Sequence, residues 1–593
     1  MEGPSAARWE ESMTQAAYDT VIRGGRIVDG TGRAPFEGDI AVREGRIVAV
    51  GEVAGKGREE IDAAGLLVTP GWVDIHTHYD GQATWEERMV PSSLNGTTTV
   101  VMGNCGVGFA PVRPTDHDRL IRLMEGVEDI PGTALHAGLK WDWESFPDYL
   151  DALERIPHDI DVATMVPHSA LRVFVMGERG AAREPATPEE IERMGTLVRE
   201  AVDCGALGFS SSRVLFHRSI DGDLAPSVGA ARRELTGISA KLAGGEGVLQ
   251  VVANIGEDAP AEFDLLDEMM DVSGRPLSFS FVDVEGRAYL WDLVDQQLRA
   301  AAAKGKPLLA QVQGRSVGML LSLQGSVHPF VTRPSYKAIA DLPLARKLEI
   351  MRDPAFKARL LAEEGEEGHP FAELAKKSWH VLFELGNPPQ YEPDPATSIA
   401  ARAEALGVDP QDLVYDILTS GDGTGYLYFP SYNFAGGNFD RLLLMLKHPH
   451  TVSGLSDGGA HVGVICDASV TTFMLSHWCR DRKGEQLDLV DTVIRQTSAP
   501  ARAVGLLDRG VIAPGYRADI NVIDFERLQL QAPRFVFDLP KGERRLMQGA
   551  DGYVATMVAG EVIYREGEPT GALPGKIVRG SQPAPVQEEP VPA

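Results

Sequence analysis

The stretch Val68-Thr69-Pro70-Gly71-Trp72-Val73-Asp74-Ile75-His76-Thr77-His78-Tyr79-Asp80-Gly81 decides the fold class. Val73-Asp74-Ile75 reads as an apolar strand that ends in His76-Thr77-His78. Residues two apart on an extended strand face the same way, so both imidazoles point to one side and can grip one metal ion. Outward from this segment, between about 71 and 509, apolar strands alternate with helical stretches: TTTVVMGNCG (97–106), HDRLIRLMEGVEDI (117–130), DVATMVPHSALR (161–172), TPEEIERMGTLVREAVDCG (187–205) and ALGFSSS (206–212). Alternating βα units over this length predict an α/β protein built on a (β/α)8 barrel of the TIM type, whose active site lies at the strands' C-terminal ends. Thr187-Pro188-Glu189-Glu190 supplies a capping hydroxyl, a first-turn proline and acids where the helix dipole favours them.

Both chain ends have a different texture. YDTVIRGGRIVDGTG (18–32) and GDIAVREGRIVAVGEV (38–53) near one end, and GVIAPGYRADINVIDFE (510–526) and DGYVATMVAGEVIYREGE (551–568) near the other, alternate β-branched residues with glycine turns. They predict a small flanking β-sandwich domain made from 17–70 and 510–572, with the barrel at 71–509. A charged helical stretch at about 320–395 reads as a lid, its Phe330, Leu342 and Phe356 favouring a bulky substrate. Residues 1–16 and 573–593 are polar or proline-rich and are expected to be flexible.

Composition narrows the function. The 593 residues hold 57 Lys plus Arg against 85 Asp plus Glu, a formal charge of −28. Phosphate backbones and anionic lipids repel such a chain, so neither a nucleic acid nor a membrane is an expected partner. No window reaches the roughly 20 apolar residues of a membrane span, and the first residues lack a secretory apolar core. Four scattered cysteines (Cys105, Cys204, Cys466, Cys479) fit a reducing, cytoplasmic setting.

Two more segments carry chemistry. In NGTTTVVMGNCGVG a strand runs into Cys105, held in a glycine-flanked turn where a metal or imidazolium would keep it as thiolate. Cys204 and Cys479 suit the ordinary role of small buried hydrophobes. In HTVSGLSDGGAHVG a strand leads to Asp457, a carboxylate that faces His76 and His78 across a closed barrel and can ligate metal or move protons; a plain turn aspartate is the alternative.

Together PGWVDIHTHYDGQ, GNCGVG, WDWESFPDYLDAL, GALGFSSS and GLSDGGAH, with the β segments at both ends, resemble the amidohydrolase superfamily and within it the D-aminoacylase (N-acyl-D-amino-acid deacylase) group. The resemblance covers nearly the whole chain. It implies a barrel with a flanking β-sandwich, a metal at the barrel's C-terminal face and hydrolysis of an amide bond. By position His76, His78, Cys105 and Asp457 match family metal ligands, Asp457 also matches the proton-shuttling acid, and His168 matches a histidine near the site. His168 or His461 stabilises the oxyanion in this reading, with packing in the wall as the alternative for either.

The sequence also departs from the family. Two further metal histidines and a lysine are expected around the fifth and sixth strands, where GVLQVVANIG and RPLSFSFVDV leave Gln250, Asn254, Ser280 and Asp283. Neutral amides and hydroxyls are poor zinc ligands. The arginine expected soon after the SDG motif is missing before Arg480, which leaves Arg287 or Arg315 to replace it. One zinc-like ion and a small-molecule amide substrate are therefore expected. A hydrolase or lyase acting on a cyclic amide, ester or other bulky compound, and an inactive ligand-binding relative, remain as alternatives. A homo-oligomer is compatible with the sequence.

Overall fold

The alternating pattern closes, in the computed structural model, into a barrel of parallel strands; residues 16–256, 258–366, 374 and 377–586 are described. In order the barrel strands are Trp72–Asp74, Thr97–Met102, Asp161–Thr164 continued as Val166–Pro167, Gly208–Ser212, Val248–Val252, Leu277–Ser280, Leu308–Val312 and Thr451–Ser453. Each pairs in parallel with the next. The third is broken at Met165: its first half pairs with the second strand and its second half with the fourth.

The ring closes beyond the regular strands. Thr77 bridges Gly458 in parallel, the His78 N–H donates to the Gly458 carbonyl at 2.7 Å, and the Asp457 N–H donates to the His76 carbonyl at 3.2 Å. First and eighth strands are thus joined through the residues that carry the histidine pair and the aspartate. Helices cover the outside, among them Pro188–Asp203, which has the expected capping box between Thr187 and Glu190 and buries Met194, Val198 and Val202.

Strands from both ends form one nine-stranded sheet, in which Ile520–Ile523 lies antiparallel to Leu67–Pro70. Ile22, Ile40, Val68, Ile520 and Val522 share its apolar core. The hairpin Arg534–Leu539/Glu543–Met547 leaves this sheet and reaches the barrel, where the Leu546 N–H donates to the Val462 carbonyl at 2.7 Å.

The structure differs from expectation in three places. Cys204, expected as a small buried hydrophobe, follows the last turn of Pro188–Asp203 and is exposed, and Cys479 is half-buried. The insertion between the seventh and eighth strands has a small antiparallel sheet, Gly318–Leu321, Leu427–Pro430 and Phe383–Glu384, and a core of its own. Phe330 and Phe356 are buried inside that core and Leu342 is exposed, so they give no evidence of a bulky substrate. Residues 367–373 and 375–376 of this stretch lie outside the described residues, as do 1–15 and 587–593. The chain from 573 to 586 packs against the barrel: Gly575 bridges His158, Ile577 bridges Val162, and Ile577 and Val578 are buried. These two apolar side chains and the backbone pairs outweigh the proline-rich composition on which a flexible tail was expected.

Candidate metal and catalytic site

The site sits on the closure seam. His76 and His78 flank Thr77, the bridging residue, so their side chains leave the chain on the same face. Cys105 follows the second strand and Asp457 the eighth. Cys105, Leu455, Asp457 and His461 all adopt positive φ (+55°, +64°, +49° and +50°), a strained backbone that concentrates where functional side chains must be aimed.

The Nε2 atoms of both histidines, the Cys105 Sγ and an Asp457 oxygen converge. Cys105 Sγ lies 3.3 Å from His76 Nε2 and 3.7 Å from His78 Nε2. Asp457 Oδ1 lies 3.5 and 3.6 Å from the same two nitrogens. Donor atoms of His76, His78 and Cys105 all fall within 4.8 Å of one another, and Asp457 joins them through the imidazoles. Tetrahedral donors at bond lengths of about 2.0 Å for nitrogen and 2.3 Å for sulfur stand about 3.3–3.8 Å apart; the sulfur-to-imidazole and carboxylate-to-imidazole spacings fall in that range, while Asp457 lies outside the three-donor group of His76, His78 and Cys105.

Neighbouring groups aim the imidazoles. His76 Nδ1 lies 2.6 Å from the Gln311 Oε1, whose amide nitrogen donates to Ser278, so Nε2 is left to act as the ligand atom. Its main-chain N–H donates to Asp74, which also accepts from the Ser456 hydroxyl. His78 Nδ1 lies 3.3 Å from Glu128 Oε1, and the other Glu128 oxygen is 3.7 Å from His461 Nε2. The His461 N–H donates to the Glu128 carbonyl. Glu128 thus ties buried His78 to partly exposed His461.

Charge follows the same geometry. Burial lowers His76 to about 4 although Asp457 opposes it. Burial alone would lower His78 too, but the charges of Glu128 and Cys105 and the Asp457 hydrogen bond hold it well above its ordinary value. Burial would raise Asp457, yet the His78 hydrogen bond and the charges of His76, His78 and His461 keep it well below the usual carboxylate range. Burial pushes the Cys105 thiol up to about 12. A thiol so placed stays neutral unless a cation beside it favours the thiolate.

The other expected residues divide. His461 joins the cluster through Glu128. His168 engages Ser211 through Nδ1 at 2.9 Å and Glu234 through Nε2 at 3.0 Å; Glu234 also grips Arg172. That buried network takes up both its ring nitrogens away from His76, His78 and Asp457. Of the residues near the ends of the fifth and sixth strands, Gln250 donates to Ser280 at 3.3 Å, Asp283 is held by Arg441 at 2.9 Å, and Asn254 is exposed. Arg287 is exposed, Arg480 clasps Asp481, and Arg315 is buried against Asp467 at 2.8 Å.

A small pocket open to solvent is lined by Asp457, Val462, Asp467, Arg545 and Leu546 among others. Arg545 comes from the C-terminal hairpin and is paired with Glu86 at 2.6 Å and Asp538 at 2.8 Å. Sequence reasoning missed Glu128, Gln311 and this hairpin. Glu128 carried a signal: a carboxylate at the C-terminal end of the helix His117–Glu128 opposes the helix dipole. Gln311 and Gln313 carried another, as alternate polar residues in a barrel strand and just beyond it.

A family model described as "Amidohydrolase family" matches residues 59–564. An uncharacterized protein of Mycobacterium tuberculosis is 27% identical over 601 residues, covering 94% of this chain and 93% of the relative. N-acyl-D-aspartate deacylase of Alcaligenes xylosoxydans xylosoxydans is 27% identical over 574 residues, covering 95% of each. A crystal structure of D-aminoacylase shares the fold, with a TM-score of 0.63 at 23% identity, covering 95% of this chain and 100% of that one. Because this match begins within the small-sheet strand Gly57–Asp62, runs through the whole barrel and ends in the strand Glu561–Arg565 of that sheet, the chain belongs to the amidohydrolase family.

Proposed function

We propose that the protein hydrolyses the amide (N-acyl) bond of a small molecule, using one zinc ion held by His76, His78, Cys105 and Asp457. The observation that carries this reading is a pair of imidazoles whose Nε2 atoms each lie 3.3–3.7 Å from a thiol and from a carboxylate, beside a solvent-open pocket. Nitrogen and sulfur donors together favour zinc over magnesium or calcium. Such an ion, when bound, supplies Lewis-acid activation of water and carbonyl.

The chain's own groups do the rest. Asp457, ionised at neutral pH, accepts a proton from the attacking water and delivers it to the leaving nitrogen. His461, with its side chain 28% exposed and its Nε2 near Glu128, is the candidate donor to the developing oxyanion. His168 supports the wall from its network with Ser211 and Glu234. The names of the deacylase relatives support an N-acyl substrate, and the four free cysteines favour a reducing compartment.

A neutral or cyclic amide is the second reading, favoured by Arg545, the arginine in the cavity wall, being paired with two carboxylates. The test is metal analysis of protein purified without added metal, with turnover of an N-acyl panel. About one equivalent of zinc is expected, with His76→Ala and His78→Ala each losing metal and turnover while keeping the wild-type circular dichroism. Full metal occupancy and turnover in either variant would overturn the assignment.

A further inference from the structure

The phrase GALGFSSS ends in three serines of the fourth barrel strand, Gly208–Ser212, all buried and each with a different partner. Ser211 Oγ meets His168 Nδ1 at 2.9 Å, and Ser212 Oγ meets His217 Nδ1 at 2.8 Å. Ser210 leaves the strand on the face opposite to Ser211 and meets the turn that carries Cys105.

The Ser210 hydroxyl bonds on both sides of that cysteine. Its Oγ donates to the Gly103 carbonyl and accepts the Gly106 N–H at 3.2 Å. One side-chain atom thus ties residue 103 to residue 106 and closes a ring over Asn104 and Cys105. A non-glycine residue keeps a φ of +55° only where its surroundings over-determine it, and for Cys105 the Ser210 clamp spans the residue directly.

The neighbouring strands leave the turn little room. Gly103 and Gly106 have φ of +77° and +65°; a Cβ on the first would lie 2.3 Å from the Met165 carbonyl oxygen, and one on the second 2.9 Å from the Ser211 Cα. The turn is therefore wedged between the break in the third strand and the end of the fourth. Backbone bonds fix its flanks, from the Met165 N–H to the Met102 carbonyl at 3.0 Å and from the Ser169 N–H to the Gly106 carbonyl at 2.8 Å. Those bonds anchor each flank to a neighbouring element, whereas Ser210 joins the flanks to each other.

A cysteine cannot compensate for a turn that moves. Its sulfur hangs on a single side-chain torsion, so relaxation out of the left-handed region carries Sγ away with the backbone. Held as it is, Sγ lies 3.3 Å from His76 Nε2 and 3.7 Å from His78 Nε2. We propose that Ser210 is a positioning residue of the metal site, whose hydroxyl holds Cys105 in the conformation that aims its sulfur at the two imidazoles. This rests on the reading of Cys105 as a metal ligand.

The experiment uses the full chain loaded with cobalt(II), whose near-ultraviolet charge-transfer absorption reports a thiolate bond, with cobalt affinity measured by chelator competition. Wild type is expected to show the band and Cys105→Ala to lack it. Ser210→Ala is expected to lose about half of the band or more and to bind cobalt about tenfold more weakly, the usual worth of a group that orients a ligand. In the Cys105→Ala background the same change should alter cobalt affinity by less than about twofold, because no thiol is left to aim. Ser210→Thr and Ser210→Val share a shape and differ in the hydroxyl, so the band should survive in the first and fall in the second, a comparison that stands even if Ser210→Ala does not fold. Ser273→Ala, which removes a buried hydroxyl bonded to the Met269 carbonyl in an outer helix, should lower thermal stability and leave the band intact. A full band with unchanged affinity in Ser210→Ala and Ser210→Val, or an affinity loss that persists without Cys105, overturns the role of Ser210. No band in wild type would remove Cys105 from the metal site and Ser210's role with it, while amide turnover remains the separate test of the proposed reaction.

Discussion

An amide in place of the Asp457 carboxylate keeps the shape of the side chain and removes its ability to take a proton. At saturating zinc, Asp457→Asn is expected to lower kcat by about 10²–10⁴, the usual worth of a positioned acid–base group, while hydroxamate affinity changes by less than about threefold. Unchanged single-turnover rates would defeat the proton-shuttle role. Glu128 acts at one remove, through His78 and His461. Glu128→Gln is expected to weaken zinc binding by about 10–100-fold, with turnover restored at excess zinc; a loss of thermal stability with unchanged zinc affinity would make the residue merely structural. His76, His78, Cys105 and Asp457 were legible in the sequence because each ends or follows a strand in a short recognisable phrase. Glu128 and Gln311 were not, because their meaning comes from elements that meet only after the barrel closes.

At the scale of elements, the insertion before the eighth strand is tied to the helices after it by Glu392. This carboxylate accepts from His477 at 2.7 Å, from Arg482 at 3.0 Å and from the Phe439 N–H at 2.8 Å. Burial raises its pKa, but the His477 and Arg482 hydrogen bonds outweigh it and bring the group from 4.5 down to about 2. A depressed carboxylate stabilises the fold fully above its unfolded value and loses that contribution as pH falls toward its folded value. The shift corresponds to about 3 kcal/mol. Glu392→Gln is therefore expected to be less stable than wild type by about this amount at pH 7 in urea unfolding, with the gap narrowing steadily below pH 4.5. A gap independent of pH would show that the contacts act by shape alone. The barrel strands and the terminal strands were readable from alternation and glycine turns. The hairpin Arg534–Met547 was not, since its strands look like those of the small sheet and only their pairing with each other and with Val462 sends them to the site.

At the scale of the molecule, charge sets which substrates reach the cavity. The chain carries −28, and Asp457 and Asp467 both face the cavity. Arg545 is balanced by Glu86 and Asp538, and Arg315 lies buried behind Asp467. A substrate carboxylate would find each of these guanidinium groups already paired, and an unpaired buried charge is costly. For a matched pair, an N-octanoyl-D-amino acid and its neutral methylamide, kcat/KM is expected to favour the methylamide by about 10–100-fold at low salt. Raising ionic strength shortens the screening length from about 30 Å at 0.01 M to about 8 Å at 0.15 M. The long-range part of the repulsion then fades, so the acid should gain several-fold while the neutral compound stays level. Preference for the acid at either ionic strength would mean that Arg315 or Arg545 exchanges its carboxylate partner for the substrate, and that the cavity selects anions after all.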